Sequence, residues 1–358
     1  GCSVELNQTI IDATVLSIGS MNMDSASCNN FNDGSANTVG VIGGTGGTYT
    51  YKWFSGIDTL GATLAGQISD TAVNLSAGIY TVLVKDSNSC SVTGQVTVEQ
   101  PSVIDITPIG FDSASCNGFA DGRAYVGGVS GVSGGNGSVY TYTWTDALGV
   151  DLAQDNDTAV GLVSGIYDVR VEDSKGCFET GQVTVEQPST IDITPIGFDS
   201  ASCNGFADGK AFVGGASGVS GGNGSVYTYT WTDALGTDLA QNNDTVVGLA
   251  AGTYDVMVED SKGCSETGQV TVEQPSTIDI APIGSDSASC NGIADGRAFV
   301  GGASGVSGGN GSVYTYTWTD ALGTDLAQNN DTVVGLAAGV YDVMVEDSEG
   351  CFETGQVT

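Results

Sequence analysis

The sequence predicts an all-β protein built as a tandem array of small β-sandwich modules. SASCNN begins at Ser25 and SASCNG at Ser113, Ser200 and Ser287, a recurrence at steps of 88 and 87 residues in a chain of 358. A repeat of this length is much longer than a solenoid coil and is typical of an independent sandwich domain. No segment has a convincing helical period, and each repeat carries one tryptophan in an alternating strand. These observations favour immunoglobulin-like sandwiches in line, forming an elongated rod.

The repeat boundaries are predicted after the recurring segment VEQP, whose proline would end strand pairing and stiffen the joint. Cys2 stands 88 residues before Cys90. We therefore expect both ends of the chain to be cuts within a longer protein. The predicted organisation is residues 1–13 as the last strand of a preceding repeat, repeat 1 at 14–101, repeat 2 at 102–188, repeat 3 at 189–275 and repeat 4, truncated in its last strand, at 276–358.

Strands are clearest in repeat 3. Tyr227, Tyr229 and Trp231 alternate with threonines, which is the period of a half-buried strand. Further strands are predicted at residues 210–213, 244–249, 254–259 and 270–272, giving about seven per module. Core positions are predicted for the four equivalent tryptophans, Trp53, Trp144, Trp231 and Trp318.

Charge and composition exclude several classes of function. The chain has 8 Lys plus Arg against 42 Asp plus Glu, a formal charge of −34, which would repel nucleic acid and anionic lipid. No apolar stretch is long enough to span a bilayer, and no signal peptide is visible. With no histidine, and with every candidate carboxylate repeated in every module, we predict that the chain is not an enzyme.

The nine cysteines favour disulfides and an oxidising, extracellular compartment, because no CxxC occurs and their spacing follows the repeat. The favoured pairing lies within each repeat, because it makes each unit self-sufficient: Cys28–Cys90, Cys116–Cys177, Cys203–Cys264 and Cys290–Cys351, with Cys2 unpaired. Strand parity argues against it, since the two turns lie at opposite ends of such a sandwich. A bridge between neighbouring modules, as Cys116 with Cys264, and a hairpin bridge, as Cys90 with Cys116, stay open as alternatives.

Acidic turns form the candidate metal site, and no cofactor is predicted to be required. Asp199, Asn204 and Asp208 cluster in FDSASCNGFADG, and hard oxygen donors in loops suit Ca²⁺. The alternative is that these side chains satisfy local backbone amides.

Asp-Ser-Ala and Asp-Thr-Ala or Asp-Thr-Val tripeptides recur in the predicted loops. They match an O-glycosylation pattern of Bacteroidota, and their recurrence could also reflect duplication alone. The candidate acceptors are Ser25, Thr71, Ser113, Thr158, Ser200, Thr245, Ser287 and Thr332.

As a set, the motifs resemble the SprB repeat of gliding-motility adhesins. The matching segments in repeat 3 are CNGFADG from Cys203, YTYTW from Tyr227, LAAGTYDVMVED from Leu249, the Gly263-Cys turn and VEQP from Val272. A longer glycine-rich loop, GGASGVSGGNGSVY, replaces the proline usual before the aromatic strand. The resemblance implies a long, cell-surface protein of a Bacteroidota-type bacterium, exported by type IX secretion.

The favoured function is a structural stalk or filament segment of a secreted cell-surface adhesin for attachment or gliding, with neighbouring repeats as its partners. One alternative is a module that binds surface glycans or calcium and acts through avidity. Another is a fibre that associates with identical filaments through its sandwich edges.

Overall fold

The computed structural model describes residue 5 and residues 8–45, 47–302 and 305–358. Within these ranges the chain is nearly all β, with two short 3₁₀ turns, Gly128–Ser130 and Gly215–Ser217, and no α-helix. It divides into two compact units. Unit 1 comprises Gly1–Ala114 and Gly118–Gln187, and unit 2 comprises Ser115–Asn117 and Pro188–Thr358. We number the sandwiches as modules 1 to 4 after the repeats that contain them.

Module 1, in unit 1, consists of two three-stranded antiparallel sheets. Strand β2 lies between β1 and β4, and β5 lies between β3 and β6. The strands are β1 (Thr14–Asp24), β2 (Gly34–Gly44), β3 (Thr50–Ser55), β4 (Thr71–Leu75), β5 (Gly78–Lys85) and β6 (Ser91–Val98).

Module 2, also in unit 1, repeats this plan and adds a short two-stranded sheet of β7 with β10. Its two main sheets have the orders β8-β9-β12 and β11-β13-β14. The strands are β7 (Ser102–Asp105), β8 (Gly110–Asp112), β9 (Gly122–Tyr125), β10 (Ser133–Gly135), β11 (Tyr140–Asp146), β12 (Thr158–Leu162), β13 (Gly165–Asp173) and β14 (Phe178–Val185).

Modules 3 and 4, in unit 2, have the same strand order in their two main sheets, and module 3 also has the short two-stranded sheet. Module 3 contains β15 (Ser189–Asp192), β16 (Gly197–Asp199), β17 (Gly209–Phe212), β18 (Ser220–Gly222), β19 (Tyr227–Asp233), β20 (Thr245–Leu249), β21 (Gly252–Asp260) and β22 (Ser265–Val272). Module 4 contains β23 (Gly284–Asp286), β24 (Gly296–Phe299), β25 (Tyr314–Asp320), β26 (Thr332–Leu336), β27 (Tyr341–Asp347) and β28 (Phe352–Val357).

This strand order is that of an immunoglobulin-like sandwich. Strands β8, β9 and β12 correspond to the A, B and E strands of one sheet, and β11, β13 and β14 to the C, F and G strands of the other. A second hallmark is the tyrosine corner, in which the hydroxyl of Tyr167 near the start of β13 donates to the carbonyl of Val163 at 3.0 Å. Tyr80, Tyr254 and Tyr341 make the same bond in their modules. The chain is therefore a tandem immunoglobulin-like array.

One tryptophan lies at the centre of each core. All four are 0 % exposed, where the alternation with threonine predicted them. The indole N–H of Trp144 donates to the carbonyl of Asn156 at 2.9 Å, and the other three make equivalent bonds, so burial leaves no polar atom of the ring unsatisfied. Small alanines such as Ala124 and Ala159 on the facing sheet make room for the ring.

Each core cluster draws its residues from one predicted repeat, with one addition. Modules 2, 3 and 4 each also take in a cysteine from the repeat before: Cys28, Cys116 and Cys203 respectively.

The strands predicted for repeat 3 agree with β17, β19, β20, β21 and β22 to within a few residues, whereas β15, β16 and β18 were not predicted. In the predicted preceding strand at 1–13, the described residues, 5 and 8–13, form no strand, and the rest lie outside the described residues.

Candidate functional site at the module joints

In modules 1, 2 and 3 a disulfide joins the cysteine of the SASC turn to the cysteine that follows the F strand of the next module. Cys28 is bonded to Cys177 with a Cα–Cα distance of 5.5 Å, and this pair lies in unit 1. In unit 2, Cys116 is bonded to Cys264 and Cys203 to Cys351, at 5.4 and 5.5 Å. All six cysteines are buried, with exposures between 4 and 8 %.

The favoured prediction of pairing within each repeat is therefore wrong, and the alternative of bridges between neighbouring modules holds. None of Cys28–Cys90, Cys116–Cys177, Cys203–Cys264 and Cys290–Cys351 forms; Cys90 and Cys290 are free and exposed. The reason is strand parity: in each module the first cysteine precedes the B strand, whereas the second follows the F strand, and these two strand ends lie at opposite ends of the sandwich. A strand of nine residues separates these ends by about 30 Å, and a disulfide needs Cα atoms within about 7 Å.

We call the contact around each disulfide between two modules a joint. In module 2, a buried carboxylate holds the turn that contributes Cys177 to the joint with module 1. Asp173, at the end of β13, is 5 % exposed. Its Oδ1 accepts from the amides of Lys175 at 2.8 Å and Cys177 at 3.1 Å, which fixes the turn that presents Cys177. Its Oδ2 accepts from the amide of Asn136 at 2.7 Å. Burial alone would raise the pKa of Asp173, but these hydrogen bonds outweigh it and hold the pKa below its usual value.

Asn136 connects this turn to the preceding module. Its side-chain amide donates to the carbonyl of Ser27 at 2.7 Å, next to the bridged Cys28, and also contacts the Asp173 carboxylate at 3.2 Å. Gly135, just before it, has φ of +63°, and an added Cβ there would lie 2.7 Å from the Asp173 carboxylate. The glycine-rich loop thus supplies a residue of the joint, and its strand β10 pairs with β7.

Module 1 contributes Cys28 to this joint from its SASC turn, and the linker at residues 99–101 holds that turn in place. The amide of Ala26 donates to the carbonyl of Glu99 at 2.9 Å, and the amide of Asn30 donates to the Gln100 side chain at 2.9 Å. The side chain of Asn29 donates to the carbonyl of Pro101 at 3.1 Å. The VEQP segment thus anchors the cysteine turn in addition to connecting the modules.

The same contacts recur in unit 2. Asp260 and Asp347 accept the turn amides, and Asn223 and Asn310 donate to the carbonyls of Ser115 and Ser202. Burial would raise the pKa of each of these carboxyls, but the hydrogen bonds from the amides outweigh burial and lower the pKa. The joint residues Asn136, Asn223 and Asn310 were not predicted from the sequence. The available signal was an asparagine that stands 41 residues before the second cysteine in modules 2 to 4.

The candidate calcium residues all have partners in the fold. Asp208 accepts from the amide of Ser202 at 2.8 Å, Asn204 donates to the carbonyl of Pro275 at 3.0 Å, and Asp199 pairs with Lys210 at 3.5 Å. Hydrogen bonds from Ser202 lower the pKa of Asp208. In the described part of the chain, no group of three or more acidic or cysteine side chains is placed to hold a metal ion. Calcium binding stays a prediction.

The candidate glycosylation residues fall into two structural classes. The serines are exposed and directly follow β1, β8, β16 and β23 in the four modules: Ser25, Ser113, Ser200 and Ser287. The threonines Thr71, Thr158, Thr245 and Thr332 are each the first residue of a strand and are half-buried. The fold therefore leaves the serines more accessible than the threonines.

Cys2 lies outside the described residues. Among the residues that the structure describes, no helix is long and apolar enough to cross a membrane.

Comparison with known proteins gives fold neighbours only. No protein-family model matches the chain, and no curated protein matches it. Three N-terminal domains of the outer capsid protein Hoc of bacteriophage RB49 are similar at 12 % identity and a TM-score of 0.34, covering 73 % of this chain and 99 % of that one. Immunoglobulin domains 1–5 of Sidekick-1 give 10 % identity and a TM-score of 0.31, covering 97 % and 80 %. The insect immune protein hemolin is similar at 9 % identity and a TM-score of 0.24, covering 97 % of this chain and 99 % of that one.

At these identities and scores the neighbours carry no argument about function. The strand order, the buried tryptophans and the tyrosine corners of the chain itself define its class, a tandem immunoglobulin-like module protein with disulfides between modules.

Proposed function

We propose that the chain is a force-transmitting stalk segment of an extracellular surface adhesin, in which overlapping disulfides prevent lengthening. The observation that carries this proposal is the overlap of the bridges. Each bridge spans 148 or 149 residues, and the next bridge begins inside that span. A pull on the two ends therefore acts on a covalent route that bypasses most of the backbone.

The shortest covalent route is short. It runs from Gly1 to Cys28, crosses to Cys177, follows the backbone to Cys203, crosses to Cys351 and reaches the end of the chain. This is about 60 peptide steps, or roughly 210 Å when fully extended, whereas the whole backbone of about 357 steps would extend to roughly 1,250 Å. Even complete unfolding of every module would leave the oxidised chain unable to extend beyond the shorter length.

The proposed setting follows from chemistry and from resemblance. Disulfides persist in oxidising compartments, which supports an extracellular site. The resemblance to SprB repeats supports a cell-surface adhesin of a gliding bacterium exported by type IX secretion. The repetition of every candidate carboxylate in all modules supports a structural role without catalysis. A stalk that carries traction during attachment or gliding would gain from joints that cannot lengthen.

Single-molecule stretching of the chain, held at its two ends, tests this proposal. We expect the oxidised chain to stop lengthening near roughly 210 Å, whereas in the reduced chain each module of 87 residues that unfolds should extend to roughly 300 Å. An oxidised chain that extends to the full backbone length would contradict the proposal.

A matched pair of variants sharpens the stretching experiment. Replacing Cys203 and Cys351 by serine lengthens the shortest covalent route to about 180 steps, so the limiting length should rise roughly threefold. Replacing Cys116 and Cys264 by serine removes a bridge that the shortest route does not use, and its limiting length should equal that of the unmodified chain.

Glycosylation is a second expected property of material from the native host. We expect O-linked glycan on the exposed serines, such as Ser200, at higher occupancy than on the half-buried threonines, such as Thr245. Glycopeptide mass spectrometry gives the occupancy of each site. A chain at its bare polypeptide mass would rule out modification, and equal occupancy would contradict the dependence on exposure.

A further inference from the structure

We propose that the outer face of the β3-β5-β6 sheet in module 1 docks onto the outer face of the β19-β21-β22 sheet of module 3, or of the matching β25-β27-β28 sheet of module 4, in a second copy of this chain. We call the surface in module 1 the basic groove and those in modules 3 and 4 the acidic faces. The observation that carries this proposal is a reversal of charge at equivalent positions of the same sheet.

The basic groove combines two lysines with an apolar floor. Strands β3 and β5 alternate between core and solvent: Trp53 and Val84 are 0 % exposed, and Lys52 and Lys85 beside them lie on the outer face. The groove has a volume of about 600 Å³ and is lined by Lys52, Leu64, Ile68, Leu83 and Lys85, among others. Among the residues that the structure describes, no acidic side chain lines it. In a chain with 8 basic residues against 42 acidic ones, this groove is a local region of positive charge.

The acidic faces carry carboxylates where module 1 carries lysine or threonine. Strand pairing fixes the equivalence, because β5, β21 and β27 pair in the same register with β3, β19 and β25. The corresponding residues in modules 3 and 4 are Glu259 and Glu346 for Lys85, Met257 and Met344 for Leu83, Asp255 and Asp342 for Thr81, and Asp238 and Asp325 for Thr63. Each acidic face therefore has three carboxylates beside a methionine, on the backbone framework that holds two lysines beside a leucine in module 1.

Module 2 is a poorer partner, because its outer face carries a cation. Arg170 occupies the position of Met257 and Met344. Its guanidinium pairs with Glu172 and lies over the ring of Phe178, 4.2 Å from the centroid. An arginine at this position offsets the charge of the neighbouring carboxylate and would repel the lysines of the basic groove.

Charge and surface chemistry favour a second copy as the occupant. Two acidic faces, or two basic grooves, would place like charges opposite each other, which opposes the pairing of identical modules. An acidic polysaccharide would suit the lysines but offers hydroxyl groups to a floor that is hydrocarbon. A methionine fills irregular apolar spaces, and Met257 is 38 % exposed between its two acids on β21. The acidic face therefore matches both the charge and the floor of the basic groove.

Sedimentation velocity tests this association on the chain with Cys2, Cys90 and Cys290 replaced by serine, so that no disulfide forms between copies. The salt is about 0.15 M, because it screens the repulsion between copies of charge −34 beyond about 8 Å. We expect reversible association as the concentration rises toward about 1 mM. A chain that stays monomeric throughout this range would overturn the proposal.

Two double variants locate the contact. Lys52→Glu with Lys85→Glu reverses the charge of the basic groove, and Glu259→Lys with Glu346→Lys places a lysine on each acidic face. Each double variant alone should associate at least about tenfold more weakly, because like charges then face each other. An equal mixture should recover the association, since the first variant keeps the acidic faces and the second keeps the basic groove. A mixture that associates no more strongly than its components would contradict the docking.

A further pair of variants tests the apolar floor. Ile68→Asp places a carboxylate in the basic groove, at a side chain that is 78 % exposed in the single chain, and should weaken association about tenfold. Leu148→Asp adds the same charge at an 89 % exposed side chain of module 2 and should leave association unchanged. Equal effects of the two variants would mean that the floor takes no part in the contact.

Dextran sulfate distinguishes the polysaccharide from the second copy. A chain that stays monomeric yet binds dextran sulfate through Lys52 and Lys85 would assign the basic groove to an acidic polysaccharide and overturn the proposal. All of these measurements concern contacts between copies, and their outcome is independent of the stretching limit within one chain.

Discussion

Replacing both Cys203 and Cys351 by serine is expected to lower the free energy of unfolding of unit 2 by about 5 kcal/mol. The bridge spans 148 residues, and in the chain-entropy model a loop of this length removes more unfolded-state entropy than the 60-residue loop of a bridge within one repeat would. For a unit of this size, about 5 kcal/mol corresponds to a fall in melting temperature of roughly 10–20 °C. Differential scanning calorimetry of the oxidised proteins measures it.

Cys90→Ser is the matched control, because Cys90 is exposed and unbonded, and its melting temperature should match that of the unmodified chain within about 2 °C. Non-reducing peptide mapping of the unmodified chain and of Cys90→Ser should yield a peptide that joins Cys203 to Cys351, and the double variant should lack it. Equal melting temperatures for the double variant and the control would mean that this bridge does not stabilise unit 2.

The strands and the tryptophan cores could be predicted because local physics determines them. Alternation of period two in Tyr227–Asp233 and burial of Trp231 depend only on which side chains face the core of one sandwich. The short strands β15 and β18 could not be predicted, because β18 is Ser-Gly-Gly with no strand pattern, and its pairing with β15 depends on how the glycine-rich loop folds back.

The disulfide connectivity shows a different limit. The idea that each duplicated unit should be self-sufficient favoured disulfides within a repeat, whereas strand parity argued against them. The structure has disulfides between neighbouring modules, as strand parity indicated. The joint also depends on backbone geometry that the sequence does not display. Gly135 at φ of +63° brings Asn136 next to Asp173, and no local pattern in a run of glycines indicates which one adopts that conformation.

The acidic turns show why residue type alone did not identify a ligand site. Asp208 was grouped with Asp199 and Asn204 as an oxygen donor for calcium, yet its carboxylate accepts a hydrogen bond from the backbone amide of Ser202. Asx-turn chemistry, the alternative considered for these residues, describes the contacts in the structure. Whether a cation also binds is a separate question that chelation can answer, since calcium in the turns would make the melting temperature fall on chelation.

Asp173→Ala is expected to lower the free energy of unfolding of unit 1 by about 3 kcal/mol, because it leaves the amides of Asn136, Lys175 and Cys177 without their acceptor. For a unit of this size, that corresponds to a fall in melting temperature of roughly 6–12 °C. Asp155→Ala is the control, since it removes the same charge from an exposed loop position and should change stability by no more than about 0.5 kcal/mol.

The pH dependence of the stability that Asp173→Ala loses should identify the ionised carboxylate of Asp173 as the source of that stability. Hydrogen bonds outweigh burial and hold the pKa of Asp173 in the folded chain below its usual value of 3.8. Its stabilising effect is therefore complete at pH above the unfolded pKa and is lost as the pH falls through the folded pKa. The difference in melting temperature between the unmodified chain and Asp173→Ala should stay constant from pH 8 to pH 5 and shrink below about pH 4. A difference that persists undiminished in stronger acid would mean that the loss arises from packing and not from the ionised carboxyl.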